Sequence, residues 1–174
     1  KQRSLGLRSK AKMTGQVLVA IVFGYFALWD GFEDDRGQTP ASHAISFIRE
    51  FPSLTMPTLL VIVFMMLMIA GASNGVNLTD GLDGLATGAS TMVFGAYTLV
   101  NIWQYNQSCA IVPGPACYEV RDPLDLAVVA AALTGACFGF LWWNAAPAKI
   151  FMGDTGSLAL GGLLAGLSIT TRTE

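Results

Sequence analysis

Long apolar stretches alternate with short polar connections along the whole chain. A helix needs about 20 apolar residues to cross the hydrocarbon core of a bilayer. Membrane strands would alternate in polarity, whereas residues 61–70 are apolar at every position. The pattern therefore predicts an all-α, polytopic helical membrane protein. Five stretches are about this length or longer and contain no charged residue. They are 13–29, 51–79, 84–118, 126–148 and 155–171.

Polar residues, prolines and glycines bound these stretches and set the expected helix ends. We predict five transmembrane helices in a single helical-bundle domain that covers residues 1–174. The expected helices are 13–30, 56–73, 84–103, 125–143 and 156–171. Glycines four residues apart allow membrane helices to pack closely. The pairs with this spacing are Gly84/Gly88, Gly135/Gly139 and Gly162/Gly166.

The positions of the charged residues predict the orientation of the helices. Cytoplasmic connections are enriched in Lys and Arg, and five basic residues lie between Lys1 and Lys12. We therefore expect the N-terminus in the cytoplasm. Counting crossings then puts two further connections on the cytoplasmic face, 74–83 and 144–155, and two outside, 30–55 and 104–124.

Composition excludes several other classes of protein. Only 13% of the residues are charged and 53% are apolar, whereas a soluble domain is about 25% charged. A net charge of −2, with the basic residues at one end, excludes a nucleic-acid-binding surface. Three cysteines are too few and scattered for a disulfide scaffold or a zinc site. Cys109 and Cys117 share an outer connection, and pairing between them is left open.

The cytoplasmic connection 74–83 carries Asp80 and Asp83 among glycines. If this segment is helical, the two carboxylates share one face, and the glycines leave backbone open to a ligand. The alternative is that Asp80 caps the following helix and Asp83 occupies its first turn. Two aspartates together with Asn74 and Asn77 at a membrane boundary favour a functional site.

The connection 144–155 carries a third acid, Asp154, which could equally cap the last helix. Three aspartates on one membrane face, with few basic partners, favour a hard divalent cation completed by water and substrate phosphates. Lys149 and the amides that begin the last helix could receive a phosphate. Phe151 is either an interfacial aromatic residue or a stacking surface for a base. These residues predict a magnesium and phosphate site on the cytoplasmic face.

At this point the sequence resembles a known group of enzymes. The segments NGVNLTDGLDGLATG (74–88) and FMGDTGSLALGG (151–162) closely resemble motifs of the polyprenyl-phosphate N-acetylhexosamine-1-phosphate transferase superfamily. Within it, the resemblance is to the phospho-N-acetylmuramoyl-pentapeptide transferase family. The segment LGLRSKAKMTGQ (5–16) is also similar to that family. The resemblance therefore covers essentially the whole chain, apart from the variable outer connections.

The resemblance implies a magnesium-dependent transfer reaction. Phospho-N-acetylmuramoyl-pentapeptide would pass from UDP-MurNAc-pentapeptide to undecaprenyl phosphate, giving lipid I and UMP in the first membrane step of peptidoglycan synthesis. The implied location is the bacterial inner (plasma) membrane, as a multi-pass protein with its active-site loops in the cytoplasm. The implied partners are the two substrates and the lipid bilayer, and a homo-oligomer is left open.

Motif matching also implies roles for individual residues. Asp80, Asp83 and Asp154 would be catalytic, with Asp154 binding Mg²⁺. Phe151 would stack on uracil, and Lys12 would approach a phosphate. The full set of implied substrate-binding residues is Asn74, Asn77, Gly81, Leu82, Asn144, Phe151 and Lys12.

The chain departs from the family pattern in two ways. The family has more transmembrane helices than the five predicted here. Its adjacent aspartate pair and its histidine cluster have no counterpart in a matching context, since Asp34, Asp35 and His43 lie in an outer connection and are interpreted as solvated. We therefore expect the chain to be a central fragment of the enzyme and inactive by itself. The alternatives are a related N-acetylglucosamine-1-phosphate transferase, a non-catalytic membrane scaffold, or a transporter.

Overall fold

A computed structural model describes residues 9–46, 50–114 and 117–174. These residues contain five α-helices in the predicted order, which confirms a helical membrane architecture. The helices are α1 (Ser9–Ala27), α2 (Thr58–Thr79), α3 (Leu85–Asn106), α4 (Pro123–Asn144) and α5 (Gly153–Thr170). Among the described residues, α2, α3 and α4 are long and apolar enough to cross a membrane. The helices α1 and α5 are shorter, with 19 and 18 residues.

Large apolar side chains cover much of the outer surface of the bundle. Leu59 of α2 is 73% exposed, and Leu99 of α3 is 70% exposed. Polar side chains lie inside instead, because Thr87 and Asn101 of α3 are fully buried. Apolar surface of this extent is costly in water but matches lipid tails. The distribution is that of a membrane-embedded bundle.

The helices pack in two groups, one of α1, α2 and α5 and the other of α3 and α4. The helix α2 contacts both α1 and α5, while α3 packs against α4. Gly161 permits the close approach of α5 to α2, because a Cβ atom there would collide with the backbone of Ala72 and Ser73. The sequence pattern predicted Gly162 for this role, and the tight contact lies one residue earlier. A Cβ atom at Gly162 would make only an ordinary contact, 3.6 Å from Ser73 Oγ.

The helix α2 extends beyond its predicted end at residue 73, as far as Thr79. Asn74 and Asn77 therefore lie on its last turns and not in a loop. Asparagine has a weak helix propensity, but both side chains bond to neighbouring helices. Asn74 Nδ2 donates to Gln16 Oε1 of α1 at 3.1 Å, and Asn77 bonds to α5. These tertiary contacts hold the last turns in the helical conformation.

The connection between α2 and α3 is correspondingly short. Asp80 directly follows the last residue of α2, and Gly84 precedes α3 with a positive φ of 76°. Two structural expectations for these acids, a shared helix face and a cap on α3, are therefore wrong, while their functional role stays a prediction. Asp80 does not cap α3, and the turn between Asp80 and Asp83 means that they do not share a helix face.

The connection between α1 and α2 contains structure that was not predicted. A 3₁₀ turn (Asp30–Phe32) is followed by a small antiparallel sheet of β1 (Ala44–Ser46) and β2 (Glu50–Thr55). Asp34 is not simply solvated, because its carboxylate accepts the amides of Arg36 and Gln38, each at 2.9 Å. Strands this short carry too little alternation to be recognised in the sequence.

The connection between α3 and α4 is closed by a disulfide between Cys109 and Cys117. This contact settles the pairing that the sequence left open. Arg172, just after α5, donates to the carbonyl oxygen of Glu119 at 2.7 Å. The Arg172 guanidinium also reaches the carbonyl of Thr39 at 3.5 Å. The three segments at this end of the bundle are thus tied together.

Candidate active site

A polar cluster joins α1, α2 and α5 at the opposite end of the bundle. Lys12 Nζ lies 2.6 Å from Asp154 Oδ2. Asn77 Nδ2 donates to Asp154 Oδ1 at 3.0 Å and to Ser157 Oγ at 2.8 Å. Both carboxylate oxygens of Asp154 are therefore held, one by a charge on α1 and the other by an amide on α2.

The antiparallel order of the helices brings these residues together. The helices α1 and α5 begin, and α2 ends, at this face of the bundle. Asp154 lies in the first turn of α5, where no side-chain bond caps the helix. Its carboxylate points instead to Lys12 and Asn77. The contacts thus exclude the capping role of Asp154, and its functional role stays a prediction.

The other two predicted acids differ in their surroundings. Asp80 is partly buried, and this burial, together with the negative charge of Asp154, raises the pKa of the Asp80 carboxyl above its ordinary value. Asp83 is exposed, and its Oδ2 accepts the amide of Ala148 at 3.0 Å. Asp80 and Asp154 therefore interact through their charges, whereas Asp83 ties together the two connections at this face.

The carboxylate of Asp154 suits a magnesium ion whose remaining ligands are supplied by water and a substrate. Among the described residues, no three His, Cys, Asp or Glu side chains are close enough to hold a metal by themselves. Mg²⁺ usually binds one or two carboxylates and keeps water and phosphate oxygens as its other ligands. Asp154 and Asp80 are two carboxylates at this face whose charges interact, and they are the candidates for that role. Lys12 is the cation that now offsets the charge of Asp154.

Two predicted substrate-binding asparagines are engaged within the protein. Asn144 is only 3% exposed. Its Oδ1 accepts the hydroxyl of Thr87 at 2.8 Å, and its Nδ2 donates to the carbonyl of Ile150 at 3.0 Å. Asn74 donates to the carbonyl of Ala70 as well as to α1. The observed role of both residues is to fix neighbouring elements, and their contact with substrate stays a prediction.

Three other predicted residues are available to a ligand. Phe151 is 75% exposed, and Leu82 is 70% exposed. Gly81, beside Leu82, is also exposed. Lys149 extends over the Trp143 ring, with its Nζ 5.2 Å from the ring centroid. Lys12 is therefore the lysine in contact with Asp154, while Lys149 has an aromatic partner.

An apolar groove of about 610 Å³ adjoins the cluster. It runs between α1 and α5, and its walls include Val19, Phe23, Leu158 and Leu163. Lys12 belongs both to this groove and to the ion pair with Asp154. The charged cluster is thus bordered by apolar surface on one side.

Sequence analysis missed two polar residues that organise this face. Ser157 is fully buried and binds Asn77, and Thr87 is fully buried and binds Asn144. The sequence could have indicated Ser157, because it lies three residues after Asp154 and therefore on the same helix face. The sequence gives no indication of Thr87, because its partner Asn144 is 57 residues away.

Comparison with known proteins identifies the family. The chain is 71% identical over 177 residues to the phospho-N-acetylmuramoyl-pentapeptide-transferase of a Nocardioides species. The proteins of the same name are 64% identical in Streptomyces avermitilis and 58% identical in Mycobacteroides abscessus. Each match covers the whole chain but only 48–49% of the relative, so the chain spans about half the length of these curated relatives. The sequence model of glycosyl transferase family 4 matches residues 4–172, and the chain belongs to this family.

Proposed function

We propose that this chain is part of a membrane enzyme that transfers phospho-N-acetylmuramoyl-pentapeptide from UDP-MurNAc-pentapeptide to undecaprenyl phosphate. The products are lipid I and UMP, and the reaction depends on Mg²⁺. The observation that carries the proposal is the 71% identity, over the whole chain, to a relative that bears the name of this activity.

The geometry supports a transferase more than a transporter. Transporter ion sites lie on broken helices near the middle of the bilayer. Here Asp154 lies at the start of α5, and Asp80 directly follows the end of α2. Charged groups at helix ends can meet a nucleotide from water and a lipid phosphate from the bilayer surface.

The chain's residues have distinct roles in this proposal. Asp154 and Asp80 would hold the metal, which when bound would offset negative charge on the pyrophosphate of the donor. Lys12 lies next to Asp154 and supplies a positive charge to a phosphate. Phe151 offers an exposed ring on which uracil stacks. An oxygen of the acceptor phosphate attacks the phosphorus bonded to the sugar, and the bond to UMP breaks.

The proposed orientation places this site in the cytoplasm of a bacterial cell, at the inner membrane. The cluster lies at the end of the bundle where α1 begins, and the first four residues of α1 include Lys10 and Lys12, as expected of a cytoplasmic end. The Cys109–Cys117 disulfide lies in the connection at the other end of α3. Disulfides persist in oxidising compartments, so this bond supports an extracytoplasmic position for that connection.

The test is a transfer assay with the purified full-length protein that contains this segment. It compares UDP-MurNAc-pentapeptide with UDP-GlcNAc as donors to undecaprenyl phosphate, with Mg²⁺ or with EDTA. We expect UMP and lipid I only from the first donor, and only with Mg²⁺. Transfer from UDP-GlcNAc would favour the related transferase. No transfer from either donor would contradict the proposed function.

A further inference from the structure

Ser157 is placed to control the geometry of the acidic site. Its side chain is fully buried, one turn after Gly153 at the start of α5. Its hydroxyl donates to the carbonyl of Gly153 at 3.0 Å and accepts from Asn77 Nδ2 at 2.8 Å. Because its one proton is used on Gly153, its oxygen faces Asn77 as an acceptor.

This contact fixes the amide of Asn77. The amide nitrogen carries two protons, and its two partners are the Ser157 hydroxyl and the Asp154 carboxylate. A carboxylate can only accept, so the nitrogen and not the oxygen of the amide must face Asp154. With Ser157 as its second acceptor, the amide plane has one orientation, and that orientation aims a proton at Asp154 Oδ1.

We infer that Ser157 is a positioning residue that acts on Asp154 through Asn77. The inference rests on the proposed function, in which Asp154 binds the metal. Lys12 holds the other oxygen of the carboxylate, so the direction of Oδ1 depends on Asn77. Residues that orient metal ligands typically change metal affinity or activity by about 10–100-fold when they are replaced.

The test uses the full-length protein with Ser157→Ala and measures two quantities. The first is the affinity for Mn²⁺ alone, obtained from the EPR signal of the free ion. The second is kcat and KM for transfer. We expect Mn²⁺ affinity and kcat each to fall about tenfold, with little change in the KM for the donor. Ser168→Ala is the matched control, because Ser168 is a buried serine at the other end of the same helix.

The double variant Asn77→Ala/Ser157→Ala separates positioning from general damage. If Ser157 acts through Asn77, its replacement has no further effect once Asn77 is gone. Ser157→Cys, of similar size, gives the same measurement should Ser157→Ala fold poorly.

Three results would overturn the inference: unchanged Mn²⁺ affinity, additive losses in the double variant, or no Mn²⁺ binding by the unmodified protein. Mn²⁺ binding that depends on Ser157 without any transfer would instead refute only the proposed function.

Discussion

At the scale of single residues, Asn144 shows how a contact can give a residue a role that its motif does not predict. Motif resemblance makes it a substrate-binding residue, but both ends of its amide are bonded within the protein. Its Oδ1 depends on the buried hydroxyl of Thr87. Buried polar groups that lose a partner destabilise a protein, because the remaining group is left without a hydrogen bond.

Thr87→Val should therefore lower the free energy of unfolding by about 1–3 kcal/mol, because it leaves Asn144 Oδ1 buried without a donor. Thr91→Val is the control, since the Thr91 hydroxyl bonds only to a carbonyl of its own helix. Thermal unfolding of the purified protein in detergent measures both. Equal Tm values for the two variants would show that the Thr87–Asn144 bond does not stabilise the fold.

At the scale of elements, apolar stretches predict each helix, and side-chain contacts decide where it ends. The last turns of α2 contain asparagines, which predict a loop. The bonds of these asparagines to α1 and α5 keep the turns helical. Helix packing also depends on contacts that the sequence does not show. Glycine spacing indicates that α5 packs closely, but Gly161 and not Gly162 meets the backbone of α2. The rotation of one helix against another cannot be derived from one sequence.

Gly161→Ala should destabilise the protein by about 1–3 kcal/mol, because the added methyl group forces α5 away from α2. Gly162→Ala on the same helix should have a smaller effect, since a Cβ there meets only an ordinary contact. Tm values in detergent give the comparison. A larger loss for Gly162→Ala would mean that α5 faces α2 with a different side.

At the scale of the whole molecule, charge-free stretches are enough to predict five helices and a bundle. Counting crossings also predicts that Asp80, Asp83 and Asp154 lie at one face, and the structure places all three at the same end. The internal arrangement of that face was not predictable. The pairing of Lys12 with Asp154, and the separate bond of Asp83 to Ala148, depend on distances between helices that hydropathy does not encode.

The proposed orientation predicts opposite accessibility at the two ends of the bundle. Leu82→Cys and Asp35→Cys each add one exposed thiol. A maleimide that cannot cross membranes should label Asp35→Cys in intact protoplasts, and Leu82→Cys only after they are permeabilised. The cysteines of this chain are a disulfide pair and the buried Cys137, so the segment itself adds little background. The reverse labelling pattern would show that the orientation in the membrane is opposite to the proposed one.

The most direct test of the central claim is the rate of lipid I formation by the full-length protein with Asp154→Asn. Asparagine keeps the shape of the side chain but removes the charge that binds Lys12 and, in the proposed function, Mg²⁺. We predict a loss on the order of a hundredfold or more, comparable to the removal of one electrostatic group from other active sites. Asp35→Asn, an exposed acid at the other end of the bundle, should keep full activity. Undiminished lipid I formation by Asp154→Asn would contradict an active site at this cluster.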